Sequence, residues 1–342
     1  MKNIINIPNK FKDRKILVIG DIMLDRHIVG SVSRISPEAP VPVVLEDQRF
    51  ETLGGAANVA NNLCALGARV LQVGIVGNDA EGRILREKLS QAGIDTAGIF
   101  VDDRYPTVTK TRVMARHQQV VRIDRETRAG HGSHAAIRRF VRDRLKRVDA
   151  VIISDYGKGL IDAELVGSVC RQARKENKII TVDPKVEHFN YYRQVTCITP
   201  NRRETENAIR NLKIQHNAGK RLNVSNDCLA TDEAIDRAGQ ELVKYLRLES
   251  LLITLGEQGM RLFVHDQPPC SIPTHAQDVY DVTGAGDAVI SVFTLALVAG
   301  ATKQQAAQMA NRAAGIVVGK LGAVAVTAEE LIEAAQQQSK SS

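Results

Sequence analysis

Short runs of consecutive apolar residues, each closing on a polar residue or a glycine, recur along the chain. They are Lys15–Asp21 (KILVIGD), Ala150–Asp155 (AVIISD), Ile179–Asp183 (IITVD), Cys197–Asn201 (CITPN) and Leu251–Gly256 (LLITLG). Helically spaced stretches follow them. Continuously apolar strands rich in Ile and Val, alternating with helices, predict an α/β protein with a mostly parallel sheet covered on both faces. In such sheets ligands bind beyond the carboxyl ends of the strands. Asp21, Asp155, Asp183, Asn201 and Gly256 are therefore expected along one edge, and that edge is the predicted active site.

Two stretches break this rhythm. From His27 to Thr52 the chain carries alternating β-branched residues with Pro37, Pro40 and Pro42, then Val41, Val43, Val44 and Leu45. From Thr107 to Asp124 it reads TVTKTRVMARHQQVVRID, again alternating as strands do. Neither fits a crossover helix. Segments of about 22–52 and 107–124 are expected to form a small β-sheet lid on a single domain spanning 1–342, a plain surface hairpin being the alternative. Asn211–Thr231 is polar, with Gly219 and several Asn, and reads as a flexible insertion.

The strongest local signal is Asp281–Asp287 (DVTGAGD), which leads into the uninterrupted helix former Ala288–Ala299. Gly284, Ala285 and Gly286 have little or no side chain, so their N–H groups can approach an anion. A helix N-terminus adds its dipole and its unpaired N–H groups. A carboxylate in such a turn is locally unfavourable, and Asp287 beside a bound phosphate could accept a proton from an attacking hydroxyl. An ordinary aspartate near a helix start is the competing account. The second signal is Leu53–Gly67 (LGGAANVANNLCALG). Gly54 and Gly55 would let backbone approach a ligand, and a helix from about Ala56 to a stop at Gly67 would carry Asn58 and Asn61 in its first turns. Close helix–sheet packing alone would also explain it.

Composition narrows the function less than the motifs do. Hydrophobic residues make up 44% of the 342, enough for a substantial core. No apolar run reaches the length of a membrane span and the N-terminus lacks a signal-peptide core, so the expectation is a soluble, cytoplasmic protein without membrane partners. Lys and Arg exceed Asp and Glu by 46 − 39 = 7, yet aromatics are 4% and no base-stacking platform is visible, which argues against nucleic acid. The basic stretch Arg138–Arg147 reads as the solvated face of an amphipathic helix. Five scattered cysteines without a CxxC pair indicate neither a disulfide framework nor zinc. His131 and His134 stand three apart, but no further ligand clusters with them, and an exposed polar segment is expected there.

DVTGAGD resembles the C-terminal signature of the ribokinase/PfkB carbohydrate kinase family, and GGAANVANNLCALG resembles the N-terminal one. Thr199–Glu204 (TPNRRE) is similar to the family's Asn-x-x-Glu motif, and the likeness runs from about Ile16 to Leu331. The resemblance implies a ribokinase-like three-layer α/β/α sandwich with a β-sheet lid, ATP and Mg²⁺ as cofactors, and a homodimer through the lid. It assigns Asp287 as catalytic base and Gly284, Ala285 and Gly286 as anion hole. Asn201 and Glu204 would organise Mg²⁺ and phosphates, Glu204 through water. Thr254, Gly256, Gly259 and Asn311 would border the nucleotide. Asp21, Asp25, Gly54, Gly55 and Asn58 match sugar contacts. The Asp281–Thr283 loop is similar to that of potassium-responsive members, which suggests a monovalent cation. Further stretches, including RISPEAPVPVV at 34–44 and SDYGKG at 154–159, narrow the resemblance to members whose sugar already carries a phosphate. Lys110, Arg112, Arg116, Arg122 and Lys185 are the candidates to hold that phosphate. Lys110 and Arg112 share parity, so a regular strand sets them on one face. Some relatives append a nucleotidyltransferase. No HxGH-type motif is found here, so kinase chemistry alone is expected. A family kinase for another sugar, or a non-catalytic sugar-phosphate sensor, are the rival readings.

Overall fold

The computed structural model describes residues 5–116, 118–127, 131–214, 222–224, 227–274, 279–320 and 324–341. Its first part runs β1 (Lys15–Gly20), β2 (Ile22–Ile35), β3 (Pro42–Gly55), α1 (Ala56–Ala65), β4 (Arg69–Gly77), α2 (Ala80–Gln91) and β5 (Asp95–Asp102). The hairpin β6 (Thr109–Ala115) and β7 (Gln118–Arg125) follows, then α3 (His134–Leu145), β8 (Ala150–Ser154), α4 (Ala163–Lys175), β9 (Ile179–Asp183) and β10 (Cys197–Ile198). The last part comprises α5 (Arg202–Ile214), α6 (Asp232–Leu246), β11 (Ser250–Thr254), β12 (Met260–Val264), β13 (Cys270–Ile272), α7 (Ala285–Val298), α8 (Lys303–Val318) and α9 (Ala328–Ser341).

The main sheet has the order β13-β12-β11-β10-β9-β8-β1-β4-β5, parallel except for β12 and β13 at one edge. Alternate side chains of β1 enter opposite cores. Ile16 and Val18 pack with α1, α7 and α8, whereas Leu17 and Ile19 pack with α3, α4 and α6. This is why the strands read as unbroken apolar runs. The five runs singled out by pattern are neighbours in the sheet and parallel, so their carboxyl ends share one edge, as expected. The helix α7 is apolar on nearly every side because it is buried along Asp287–Ala296. Its Ser291 and Thr294 hydroxyls donate to carbonyls one turn back, at 2.6 and 2.7 Å, so they enter the core satisfied. Among the described residues no helix is long and apolar enough to cross a membrane.

The lid is a second, four-stranded sheet of order β3-β2-β6-β7. It is slightly longer than expected, because β3 continues to Gly55 and β7 to Arg125. Arg116, with φ +56°, makes the turn between β6 and β7. The insertion expected at 211–231 is partly ordinary structure: residues 211–214 complete α5, and Thr231 caps α6, its hydroxyl accepting from the Ala234 N–H at 3.3 Å. Residues 215–221 and 225–226 of that segment lie outside the described residues. The expected exposed polar segment at 131–134 needs correction at its end. His134 is 2% exposed, and its Nε2 lies 2.9 Å from the Gly159 carbonyl. The helix start carries the ring inward against the loop after β8.

Candidate active site

Asp287 lies in the first turn of α7, whose N-cap is Gly284 with φ +80°, a left-handed conformation that favours glycine. A Cβ built on Gly286 would meet nothing within 4 Å, so the protein's own packing does not require that glycine and the approach to the helix end stays open. The Thr283 N–H donates to Asp281 Oδ1 at 2.9 Å, shaping the turn before the helix. The Asp287 side chain is itself held on both oxygens. The Asn58 amide donates to Oδ2 at 2.6 Å, and the Tyr156 hydroxyl donates to Oδ1 at 2.9 Å. Desolvation pushes the carboxyl up to about 6, with Asp25 adding to the rise; the bonds from Asn58 and Tyr156 and the Lys110 charge oppose it.

Asn58, expected to face the sugar, lines the pocket, and its amide is bound to Asp287. Tyr156 was not singled out at all, although it lies in the SDYGKG stretch. It is placed by the loop after β8, which two carboxylates organise. Asp21 Oδ2 accepts the N–H groups of Tyr156 and Lys158 at 3.0 Å each, and Oδ1 accepts that of Leu160 at 3.3 Å. Asp155 Oδ1 accepts the Gly157 N–H at 2.8 Å, while its Oδ2 meets His188 at 2.7 Å and the Tyr192 hydroxyl at 2.6 Å. Burial and then repulsion by Asp155 push Asp21 up to about 6, against the three N–H bonds. Asp21 therefore does not line the pocket; its carboxylate is taken up by backbone.

The pocket in front of Asp287 measures about 170 Å³ and is lined by Asp25, Lys110, Arg112, Asn58, Tyr156 and Gly284, among others. Lys110 and Arg112 do share a lid face: Asp25 stands opposite Lys110 in the register, and His27 opposite Arg112. Arg112 lies 3.0 Å from Asp25 Oδ2, and Asp25 Oδ1 is buried with no hydrogen-bond partner. The Lys110 ammonium sits 5.7 Å from the Tyr156 ring centre, and desolvation lowers its pKa. Arg122 faces Arg112 across the hairpin but lies outside the pocket, its guanidinium held by Asp124 at 2.9 Å. Arg116 is exposed at the turn, away from it. Lys185 packs beside Gly157, and its charge partly opposes the rise that burial imposes on the Glu204 pKa. Gly54 and Gly55 have a packing reason of their own: a Cβ would come within 2.8 Å of the Asp25 carboxyl at the first and 2.5 Å of the Asp21 carbonyl at the second.

The residues expected at the nucleotide lie further along the same edge. Asn201 and Glu204 form a reciprocal cap on α5: Glu204 Oε2 accepts the Asn201 N–H at 2.8 Å, and Asn201 Oδ1 accepts the Glu204 N–H at 2.9 Å. Burial raises the Glu204 pKa. Thr254 bridges to Asn201, joining this helix start to the end of β11. Gly256, with φ +63°, faces open space, whereas a Cβ at Gly259 would come within 2.1 Å of the Ile272 carbonyl. Asn311 is buried, and its amide donates to the Pro273 carbonyl at 2.6 Å. Asp183 links the two halves: burial, then the charges of Asp287 and Glu204, raise its pKa. A larger groove of about 630 Å³ runs between α3 and α4, but its lining of Arg142, Asp143, Lys146, Arg171, Lys175 and Glu176 mixes exposed charges of both signs and lacks a buried reactive group.

A sheet edge that sets a buried carboxylate beside an open helix end and a cationic pocket has the parts of a phosphoryl-transfer enzyme. Residues 13–330 match the pfkB family carbohydrate kinase model, and the chain belongs to that family of sugar kinases. The chain is 41% identical over 330 residues, 96% of its length, to "Bifunctional protein HldE" of Desulfatibacillum aliphaticivorans, and spans 64% of that relative. Its fold matches a putative ribokinase from Agrobacterium tumefaciens at TM-score 0.74 and 21% identity, covering 96% of this chain and 99% of the other. Phosphofructokinase-2 from Escherichia coli in complex with potassium matches at TM-score 0.74 and 16% identity, again over 96% and 99%.

Proposed function

We propose that the chain is an ATP-dependent kinase that phosphorylates the anomeric 1-hydroxyl of D-glycero-β-D-manno-heptose 7-phosphate to the 1,7-bisphosphate, within ADP-heptose supply for the lipopolysaccharide core, in the cytoplasm. The observation that carries this reading is Asp287, buried at the start of α7 and facing a pocket that also holds Lys110 and Arg112. The likeness to proteins called HldE over 96% of the chain supports the choice of sugar. Asp287 accepts the proton of the anomeric hydroxyl as that oxygen bonds to the γ-phosphorus of ATP; the bond to the bridging oxygen breaks and ADP leaves. The N–H groups of Gly284, Ala285 and Gly286 stabilise charge on the transferring group. Lys110 and Arg112 hold the sugar's 7-phosphate, and Asp25 Oδ1, which has no protein donor, accepts from a sugar hydroxyl.

Mg²⁺ bound with ATP supplies neutralisation of phosphate charge. Asn201 and Glu204 would hold it, through water. A single carboxylate suits a cation that keeps its hydration, and among the described residues no group of three or more His, Cys, Asp or Glu could hold a metal. The Asp281–Thr283 loop is the proposed place of a monovalent cation.

ADP formation measured with heptose 7-phosphate, a fructose phosphate and unphosphorylated sugars tests the assignment. Turnover with heptose 7-phosphate should exceed the others, and Asp287→Asn should bind ATP normally while losing roughly three or more orders of magnitude in turnover. Preference for another sugar would reassign the substrate. No ADP with any sugar would favour a sensor, and near-normal turnover by the Asn variant would remove the base.

A further inference from the structure

Asp287 meets one side chain to which the family resemblance assigned no role. The Tyr156 hydroxyl donates to its Oδ1 at 2.9 Å, opposite the Asn58 amide on Oδ2 at 2.6 Å. The ring is not free to wander. Its backbone N–H is tied to Asp21, the next residue's N–H to Asp155, and the Lys110 ammonium stands 5.7 Å from the ring centre. Asp21 and Asp155 are both nearly fully buried, so the loop that carries Tyr156 is anchored below the sheet edge by carboxylates the transfer chemistry does not use. His134 meets the same loop at the Gly159 carbonyl. Two polar anchors and a buried imidazole converge on six residues, and the side chain delivered by them ends on the base.

We infer that Tyr156 is the positioning residue of the base, its hydroxyl holding Asp287 in one rotamer and in its ionised form. This rests on the reading of Asp287 as the base. A carboxylate away from water reverts to the neutral acid unless donors stabilise its charge. The groups facing Asp287 are Asn58 from α1, Asp25 from β2, Lys110 from β6, Asp183 from the end of β9 and Tyr156. Asp25 and Asp183 disfavour the charge. Lys110 favours it, but in the proposed complex Lys110 also faces the sugar's phosphate. The two neutral donors remain once substrate is bound. Burial and the neighbouring carboxylates push the Tyr156 phenol well above its usual pKa, so it donates throughout the working pH range.

The test is the pH profile of kcat/KM for the phosphosugar in Tyr156→Phe. Losing one donor raises the pKa of the base, so the acid limb should move up by about one pH unit. Turnover should then fall about tenfold near pH 5 and recover to within about threefold near pH 8, with KM for ATP unchanged. A limb that stays in place, or an equal loss at every pH, overturns the role. Should the Phe variant fold poorly, 3-fluorotyrosine introduced at position 156 keeps the shape and donates more strongly, and the limb should move down; an unmoved or raised limb overturns the role equally. Asp287→Asn measured alongside separates the two ideas. If it is inactive while the Phe limb is unmoved, only Tyr156 loses its role, whereas an active Asn variant removes the base itself.

Discussion

A carboxylate as enclosed as Asp287 resists ionisation, and its pKa of about 6 against an ordinary value near 4 has consequences for stability as well as rate. The sign follows from linkage. The folded protein binds this proton more tightly than the unfolded chain, so the penalty is absent below about pH 4, grows between about pH 4 and 6, and is complete above. Asp21 contributes in the same direction. Asp287→Asn removes the burden at that site. Its melting temperature should exceed the parent's near pH 8, by the equivalent of about 1–3 kcal/mol, and the gain should shrink towards pH 4. Thermal denaturation across that range checks it; a difference that does not depend on pH would mean the carboxylate is not strained by burial. The aspartate of DVTGAGD was readable because everything that marks it is local: small residues, a helix start and an acid where an acid is costly. Its partners were not readable. Asn58 is 229 positions away and Tyr156 is 131, and an Asn in a helix or a Tyr in a loop carries no mark of what it touches.

Elements decide which of two jobs a motif does. The Asn-x-x-Glu pair was read as a phosphate and metal motif, and it closes the N-terminus of α5 as a capping box, with both orphan N–H groups satisfied. The two roles are compatible and separable. Asn201→Ala should cost about 1 kcal/mol through the lost cap, seen in denaturant unfolding. Glu204→Gln can still accept at the cap, so stability should hold while kcat/KM for ATP with Mg²⁺ falls about tenfold. Unchanged kinetics in that variant would confine Glu204 to capping. The glycines show the same ambiguity resolved position by position: packing excludes a side chain at Gly54, Gly55 and Gly259, and open space surrounds Gly256 and Gly286. Strand parity was the element-scale inference that travelled furthest. It put Lys110 and Arg112 on one lid face, as the structure has them, whereas the turn at Arg116 and the Arg122–Asp124 pair removed the other two arginines from the pocket.

At the scale of the molecule, the lid is a small sheet with long free edges. All eight residues of β7 are exposed, and Leu45, Val121 and Ile123 present apolar surface to solvent. Unpaired edges and exposed apolar side chains favour association, which accords with the homodimer through the lid that the resemblance implies. Sedimentation should give the mass of two chains, and Val121→Lys with Ile123→Lys should give one; an unchanged dimer would place the interface elsewhere. The sequence by itself determined the layered α/β architecture, the shared carboxyl edge of the strands, the second small sheet and the acid at the start of α7, because each depends on periodicity or on chemistry within a few residues. Tertiary structure alone decided which donors hold Asp287, that Asp21 serves the loop after β8 rather than the pocket, and which cations face Asp287. Those outcomes depend on which distant strands and helices become neighbours, and hydrophobic pattern specifies that a face is buried without specifying the side chain that meets it.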